Sequence, residues 1–266
     1  MPSFEFGMSA TQGQRGYQED SALVWPGDAT FEWSGQPLPE PSGDGLVAIL
    51  ADGMGGHAGG ALASKTVCEA FIDSFSRSSS EAAMREQLLR ALEAGNDRIT
   101  DIVRADPALS GMGSTVVGAI FGNDGLEWIS VGDSPLYLYR RGEVALLNED
   151  HSLAPALDKM AADGEISAEQ ARNDPRRHML RSAITGEELD LIDVSKQPLG
   201  LEQGDYIIVA SDGIHTLELS ELVRVISGYA ADGPAAVSDA IVRAIDNCRD
   251  PYQDNATIVA VRPIDQ

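Results

Sequence analysis

The sequence holds only two cysteines in 266 residues, Cys68 and Cys248, which can build neither a disulfide framework nor a thiolate metal site. Each falls in a helix-like amphipathic context, where a buried small hydrophobe is the expected role. Cations are scarce too. Nineteen Lys and Arg face 42 Asp and Glu, a net charge of −23. Phosphate backbones are held by basic side chains that release counterions, so this balance argues against DNA and RNA as partners. The same repulsion disfavours an anionic membrane surface. No apolar run approaches the ~18 residues that cross a bilayer, and residues 1–5 show neither the basic nor the apolar stretch of a secretory leader. The expected setting is therefore the reducing cytoplasm. With 43% hydrophobic and 23% charged residues, the chain has the composition of a globular protein with a full core.

Short β-rich runs fall at 46–51, 115–121, 126–131, 136–139 and 144–147, with later ones at 206–210 and 257–261. Asn123-Asp124-Gly125 and Arg140-Arg141-Gly142 read as hairpin turns, which means antiparallel pairing. Helical periodicity covers 61–75, with Leu62, Thr66, Ala70, Phe71 and Phe75 on one stripe, and 81–104 behind a Ser-rich cap. Two further helices are expected at 220–229 and 234–248. Strands and helices do not alternate, so the pattern predicts an α+β layered sandwich and not a parallel sheet. Residues 26–45, rich in Pro, Gly and Ser, read as a long surface loop. Residues 152–197 are polar and look mostly helical, an excursion placed to cover a site and not a second domain.

The carboxylates separate by position. Glu19-Asp20, Asp52, Asp133, Asp212 and Asp254 stand at strand ends or in tight loops, several beside Gly or Asn. Asp52 follows Val47-Ala48-Ile49-Leu50-Ala51, and Asp212 closely follows Ile207-Ile208-Val209-Ala210. A carboxylate at the mouth of a buried strand must be paired or must hold a metal. A single Asp-Gly step is commonly just a turn, but several together with few nearby cations favour a shared cation. Oxygen donors without a Cys/His cluster select a hard ion, Mg²⁺ or Mn²⁺ ahead of Ca²⁺. The stretch from Ala51 to Gly60 holds five glycines and His57. A lone His is usually structural or merely exposed; beside a metal carboxylate it is well placed to protonate a leaving oxygen.

Seven segments in order resemble the metal-dependent protein phosphatases, the type 2C serine/threonine phosphatases, in their bacterial stand-alone branch. They are Arg15-Gly-Tyr-Gln-Glu19-Asp20, Asp52-Gly-Met-Gly-Gly-His57, Gly113-Ser114-Thr115, Val131-Gly132-Asp133-Ser134, Asp150-His151-Ser152, Ser211-Asp212-Gly213 and Asp254-Asn255-Ala256-Thr257. The resemblance implies one catalytic domain over 1–266, a four-layer α-β-β-α sandwich with two antiparallel sheets, in which about 152–197 is the flap. It implies two Mn²⁺ or Mg²⁺ ions. Asp52 would bridge them with the Gly53 carbonyl as a further ligand, Asp212 and Asp254 would bind one ion, and Glu19 and Asp20 would hold coordinated waters. Asp133 matches a possible third site, shared with Asp212. Arg15 matches the phosphate-binding arginine, and its fork suits two phosphate oxygens. His57 matches the proposed general acid.

The implied activity is hydrolysis of phosphoserine and phosphothreonine by a metal-activated water, with phosphoproteins as substrates and a Ser/Thr kinase or its targets as functional partners. Two other readings share the fold: a non-catalytic phosphoprotein-binding module and a partner-switching phosphatase. Arg15 and His57 disfavour the latter. Two departures stand out, Pro135 where the family usually carries Arg, and the length of the 26–45 loop. His151 and His215 read as structural or rim residues. His178, in Arg176-Arg177-His178, reads as part of a solvated charge run on the flap, within reach of a phosphopeptide.

Overall fold

The structure, a computed structural model, describes residues 3–26, 45–56, 58–78 and 82–264. The 26–45 loop, apart from its ends, and His57 lie outside the described residues. The strands are β1 (Ser3–Thr11), β2 (Asp20–Trp25), β3 (Leu46–Met54), β4 (Gly113–Ser114), β5 (Val116–Gly122), β6 (Gly125–Val131), β7 (Leu136–Arg140), β8 (Glu143–Leu146), β9 (Asp193–Val194), β10 (Tyr206–Ala210) and β11 (Ala256–Ile264). The α-helices are α1 (Ala58–Ser76), α2 (Met84–Ala105), α3 (Ala154–Ala162), α4 (Ala168–Asn173), α5 (Leu219–Tyr229) and α6 (Pro234–Cys248). One sheet runs β1-β11-β10-β7-β8; the other runs β2-β3-β5-β6-β9, with β4 paired to β3. Every strand pair among the described residues is antiparallel.

Side-chain alternation builds four layers. Leu46, Ala48 and Leu50 of β3 meet Ile207 and Val209 of β10 and Val259 and Val261 of β11 in the core between the sheets. The opposite face of β3, Val47, Ile49 and Ala51, packs on α1 and α2 through Phe71, Ile72, Leu88 and Leu92. The opposite face of β10, Tyr206, Ile208 and Ala210, packs on α5 and α6 through Leu222, Ile226, Ile241 and Ile245. Burial on both faces explains why these antiparallel strands read as continuous apolar runs. The α-β-β-α sandwich is thus realised.

Several local expectations need correction. The buried stripe of α1 is Ala63, Val67, Cys68, Phe71 and Ile72, while Leu62 is 38% exposed. The small side chains Ala63 and Cys68 let the helix lie close to β3, and this outweighs placing Leu62 inward. Helix α2 begins without its serine cap: Ala83 is the N-cap, and the Gln87 side chain donates to the Ala82 carbonyl at 2.8 Å. Cys68 is buried as expected, but Cys248 is exposed. It lies one turn beyond Ile245, the last buried residue of α6. The 152–197 excursion is less helical than its composition suggests. After the short α3 and α4 it continues as irregular chain, tied down by bridges of Ser152 to Leu180 and Ser114 to Ile184, then joins the sheet as β9.

Candidate metal centre

The ends of four strands, β2, β3, β10 and β11, deliver most of the acidic residues to one place. Asp20 opens β2 directly across from Asp52 near the end of β3. Asp212 follows β10, and Asp254 precedes β11. Asp133 sits in the link between β6 and β7. Arg15, Glu19, Asp52, Gly53, Asp133, Asp212 and Asp254 all line one cleft of about 650 Å³. Asp20 lies buried beneath it, and Thr115 and residues His178 to Ala183 of the 152–197 excursion add to the wall.

Polar contacts fix each ligand candidate. The Asp52 amide donates to Thr115 Oγ1 at 3.0 Å, and the Ser114 hydroxyl donates to the Asp52 carbonyl at 2.9 Å. Asp20 Oδ2 accepts from both Ser211 and Thr257 hydroxyls at 2.8 Å, which stitches the two sheets together under the site. Asn255 accepts from the Glu19 amide and donates to the carbonyls of Gln12 and Tyr17, so it holds the loop that carries Arg15. Arg15 pairs with Asp254. Gly53 is required by crowding: a Cβ there would sit 2.1 Å from the Gly60 carbonyl and 2.7 Å from that of Glu19. The glycines after Asp52 thus let α1 start hard against the end of β3.

Electrostatics mark the cluster as incomplete. Burial, with Asp20, Asp212 and Asp133 nearby, holds the Asp52 carboxyl well above the carboxylate range. Burial likewise raises Asp212, with Asp254 adding repulsion and His215, His178 and a hydrogen bond from Asp52 opposing it. One carboxyl donating to another requires a shared proton. Asp20 is pushed up to about 6, by burial against the relief of its two hydroxyl donors. Asp133 rises to about 7 through burial and the charges of Asp212 and Asp150. Asp20 Oδ1 is buried with no hydrogen-bond partner. Buried acceptors of this kind are costly unless a cation supplies the missing charge. Among the described residues no three or more His, Cys, Asp or Glu side chains stand close enough together to hold a metal ion as they are placed. The donors converge from separate loops, an arrangement that leaves room for water in an ion's coordination sphere.

The supporting hydroxyls and Asn255 have no role in the sequence pattern alone, although Ser211, Thr115 and Thr257 lie inside its seven segments. No local signal could have assigned Ser211 and Thr257 to Asp20, nearly 200 or more residues away. The Arg176-Arg177-His178 run divides: Arg176 pairs with Asp174 and Arg177 with Asp158, whereas exposed His178 faces the cleft. Pro135 is buried, its carbonyl accepts the Ala210 amide at 3.1 Å, and it does not line the cleft. His215 does not line the cleft; its Nε2 lies 3.3 Å from the Tyr137 hydroxyl.

The chain resembles known proteins throughout this region. The protein phosphatase 2C pattern matches residues 38–233. The serine/threonine protein phosphatase PstP of Mycobacterium tuberculosis is 33% identical over 168 residues, which cover 63% of this chain and 31% of that protein. The chain thus matches about a third of the length of this relative. The protein phosphatase PhpP of Streptococcus pneumoniae is 33% identical over 221 residues, 81% of this chain and 85% of that one. The solved catalytic domain of PstP with two manganese ions superposes with a TM-score of 0.76 at 24% identity, covering 100% of both chains. With the family pattern spanning most of its length, the chain belongs to the protein phosphatase 2C family.

Proposed function

We propose that this chain is a metal-dependent serine/threonine protein phosphatase that hydrolyses phosphoserine and phosphothreonine in proteins. The carrying observation is the convergence of Asp20, Asp52, Asp133 and Asp212 under one cleft, all with raised pKa values, beside Arg15. The donor set fits Mn²⁺ or Mg²⁺: all oxygen, acidic, enclosed, and short of one positive partner for Asp20 Oδ1. Asp52, the Gly53 carbonyl, Asp212 and Asp254 would hold two ions, with Glu19 and Asp20 holding their waters and Asp133 serving a third. Such a pair supplies, when bound, a water that is nucleophilic near neutral pH.

The chain's own residues do the rest. Arg15, half-exposed at the cleft mouth, receives phosphate oxygens once it exchanges Asp254 for substrate. Thr115 holds the Asp52 backbone, Ser211 and Thr257 hold the Asp20 carboxylate, and the flap walls one side of the cleft. His57 would protonate the departing serine or threonine oxygen. We further propose that residues 1–266 act as one catalytic unit with 152–197 as its flap. Kinase-made phosphoproteins in the cytoplasm are its substrates, and nucleic acid and membranes are not its partners. No helix among the described residues is long and apolar enough to cross a membrane.

The test is direct. Purified protein with Mn²⁺ is incubated with a phosphothreonine peptide and with p-nitrophenyl phosphate, with and without EDTA. Turnover of both that EDTA abolishes and Mn²⁺ restores is expected. Turnover that survives chelation would overturn the metal assignment. Peptide binding without turnover under any divalent ion would instead assign a non-catalytic module.

A further inference from the structure

The link that carries Asp133 and the flap meet at one buried side chain. His151 is 3% exposed. Its amide donates to the Gly132 carbonyl at 3.1 Å, and the Gly132 amide donates back to His151 Nδ1 at 3.2 Å. Gly132 is clamped from the other side by Thr115, whose side chain would lie 2.6 Å from any Cβ placed there, and its φ of +104° suits glycine alone. In the opposite direction, the His151 carbonyl accepts the Arg181 amide at 2.8 Å, and the Leu153 amide donates to the Met179 carbonyl at 3.0 Å. Residues 179–181 belong to the flap segment that lines the cleft.

We propose that His151 is a positioning residue whose Nδ1 holds the Gly132–Asp133 turn while its backbone holds the returning flap segment, so that cleft floor and flap wall keep one register. The backbone bonds survive any substitution at 151 except proline, though they then tie the flap to a turn that is no longer fixed. The bond to the Gly132 amide does not, because it needs an acceptor at the Nδ1 position. That acceptor requires the imidazole to carry its proton on Nε2. Nothing else described accepts from the Gly132 amide, and a buried amide left unpaired opens its turn. The remaining supports of the link act on the next residues: the Thr115 and Ser134 hydroxyls lie 2.7 Å apart, and Asn148 donates to the Ser134 carbonyl. They hold Ser134 but leave Gly132 to His151.

Only the catalytic consequence rests on the phosphatase reading; the positioning role does not. The first measurement is therefore amide exchange on the metal-free protein. His151→Ala should speed exchange of the Gly132 amide by about 5- to 150-fold, the factor carried by one buried hydrogen bond. Exchange at Arg181 should rise with it. His151→Asn, whose Oδ1 replaces Nδ1, should restore most of the protection, and His151→Leu, which fills space without accepting, should not. Should the Ala variant fail to fold, the Asn and Leu pair carries the same comparison. The second measurement compares substrates with Mn²⁺ present. His151→Leu should raise KM for a phosphothreonine peptide more than for p-nitrophenyl phosphate, since the peptide alone extends to the flap.

Unchanged Gly132 exchange in the Ala or Leu variant, or no difference between Asn and Leu, would overturn the proposal. So would equal KM changes for the two substrates. The exchange pattern without any turnover in the wild type would leave the positioning role standing and sink the phosphatase reading.

Discussion

Replacing Asp133 with Asn should stabilise the metal-free protein, by an amount that grows with pH. The Asp133 carboxyl is raised from 3.8 to about 7 in the folded chain, first by burial and then by Asp212 and Asp150. A carboxylate whose folded pKa exceeds its unfolded value binds its proton more tightly when folded. Its ionisation therefore costs stability as pH rises from about 4 through about 7. Linkage puts this cost at roughly 1.7 kcal/mol at pH 5 and about 4 kcal/mol at pH 8. Asn removes the titration while keeping the shape. For a chain of this size about 4 kcal/mol corresponds to a Tm rise of roughly 8–16 °C. Scanning calorimetry in EDTA at pH 5 and pH 8 reads the difference between variant and wild type. Burial lowers the pKa of His151 and His215, which opposes the trend with pH. Both proteins share those groups, so the difference isolates Asp133. Saturating Mn²⁺ should erase the variant's advantage at pH 8, because the wild-type carboxylate then gains a cation. A Tm difference that is flat or shrinking with pH in EDTA would refute this account of the cluster.

Three further outcomes are expected. Gly53→Ala should cost several kcal/mol and most of the activity, since its Cβ would overlap the Gly60 carbonyl; a near-wild-type Tm would show that α1 can retreat. Arg15→Ala should raise KM for phosphate esters about tenfold or more, while Tm moves by less than ~1 kcal/mol equivalent, because the Arg15–Asp254 pair is half-exposed; an unchanged KM would remove Arg15 from the phosphate site. His57→Ala should slow phosphothreonine peptide more than p-nitrophenyl phosphate, whose leaving group needs no proton at neutral pH; equal losses would exclude the acid role.

Much of the fold was legible because local rules and tertiary context agree. The short apolar runs at 46–51 and 206–210 are strands, and 234–248 is a helix from its opening Pro to Cys248, as observed. Disagreement came where tertiary packing chose among local options. On α1 the close approach to β3 buried Ala63 and Cys68 and left Leu62 outside. On α2 the chain dispensed with a serine cap. In the 152–197 stretch, pairing with Ser114, Ser152 and β6 outweighed helical composition.

The site divides the same way. The linear order of Glu19, Asp20, Asp52, Asp133, Asp212 and Asp254 at strand ends sufficed to point to a shared hard cation, because buried carboxylates without lysines or arginines have few other partners. Only the folded chain decided which groups meet. Asp20 and Asp52 become opposite neighbours through β2–β3 register. Ser211 and Thr257 reach Asp20 because the sheets stack face to face. His151 joins Gly132 to the flap across a gap that no sequence window spans. Residue chemistry is written locally, whereas the field at each carboxylate is a sum over charges brought close by packing, and that sum exists only in three dimensions.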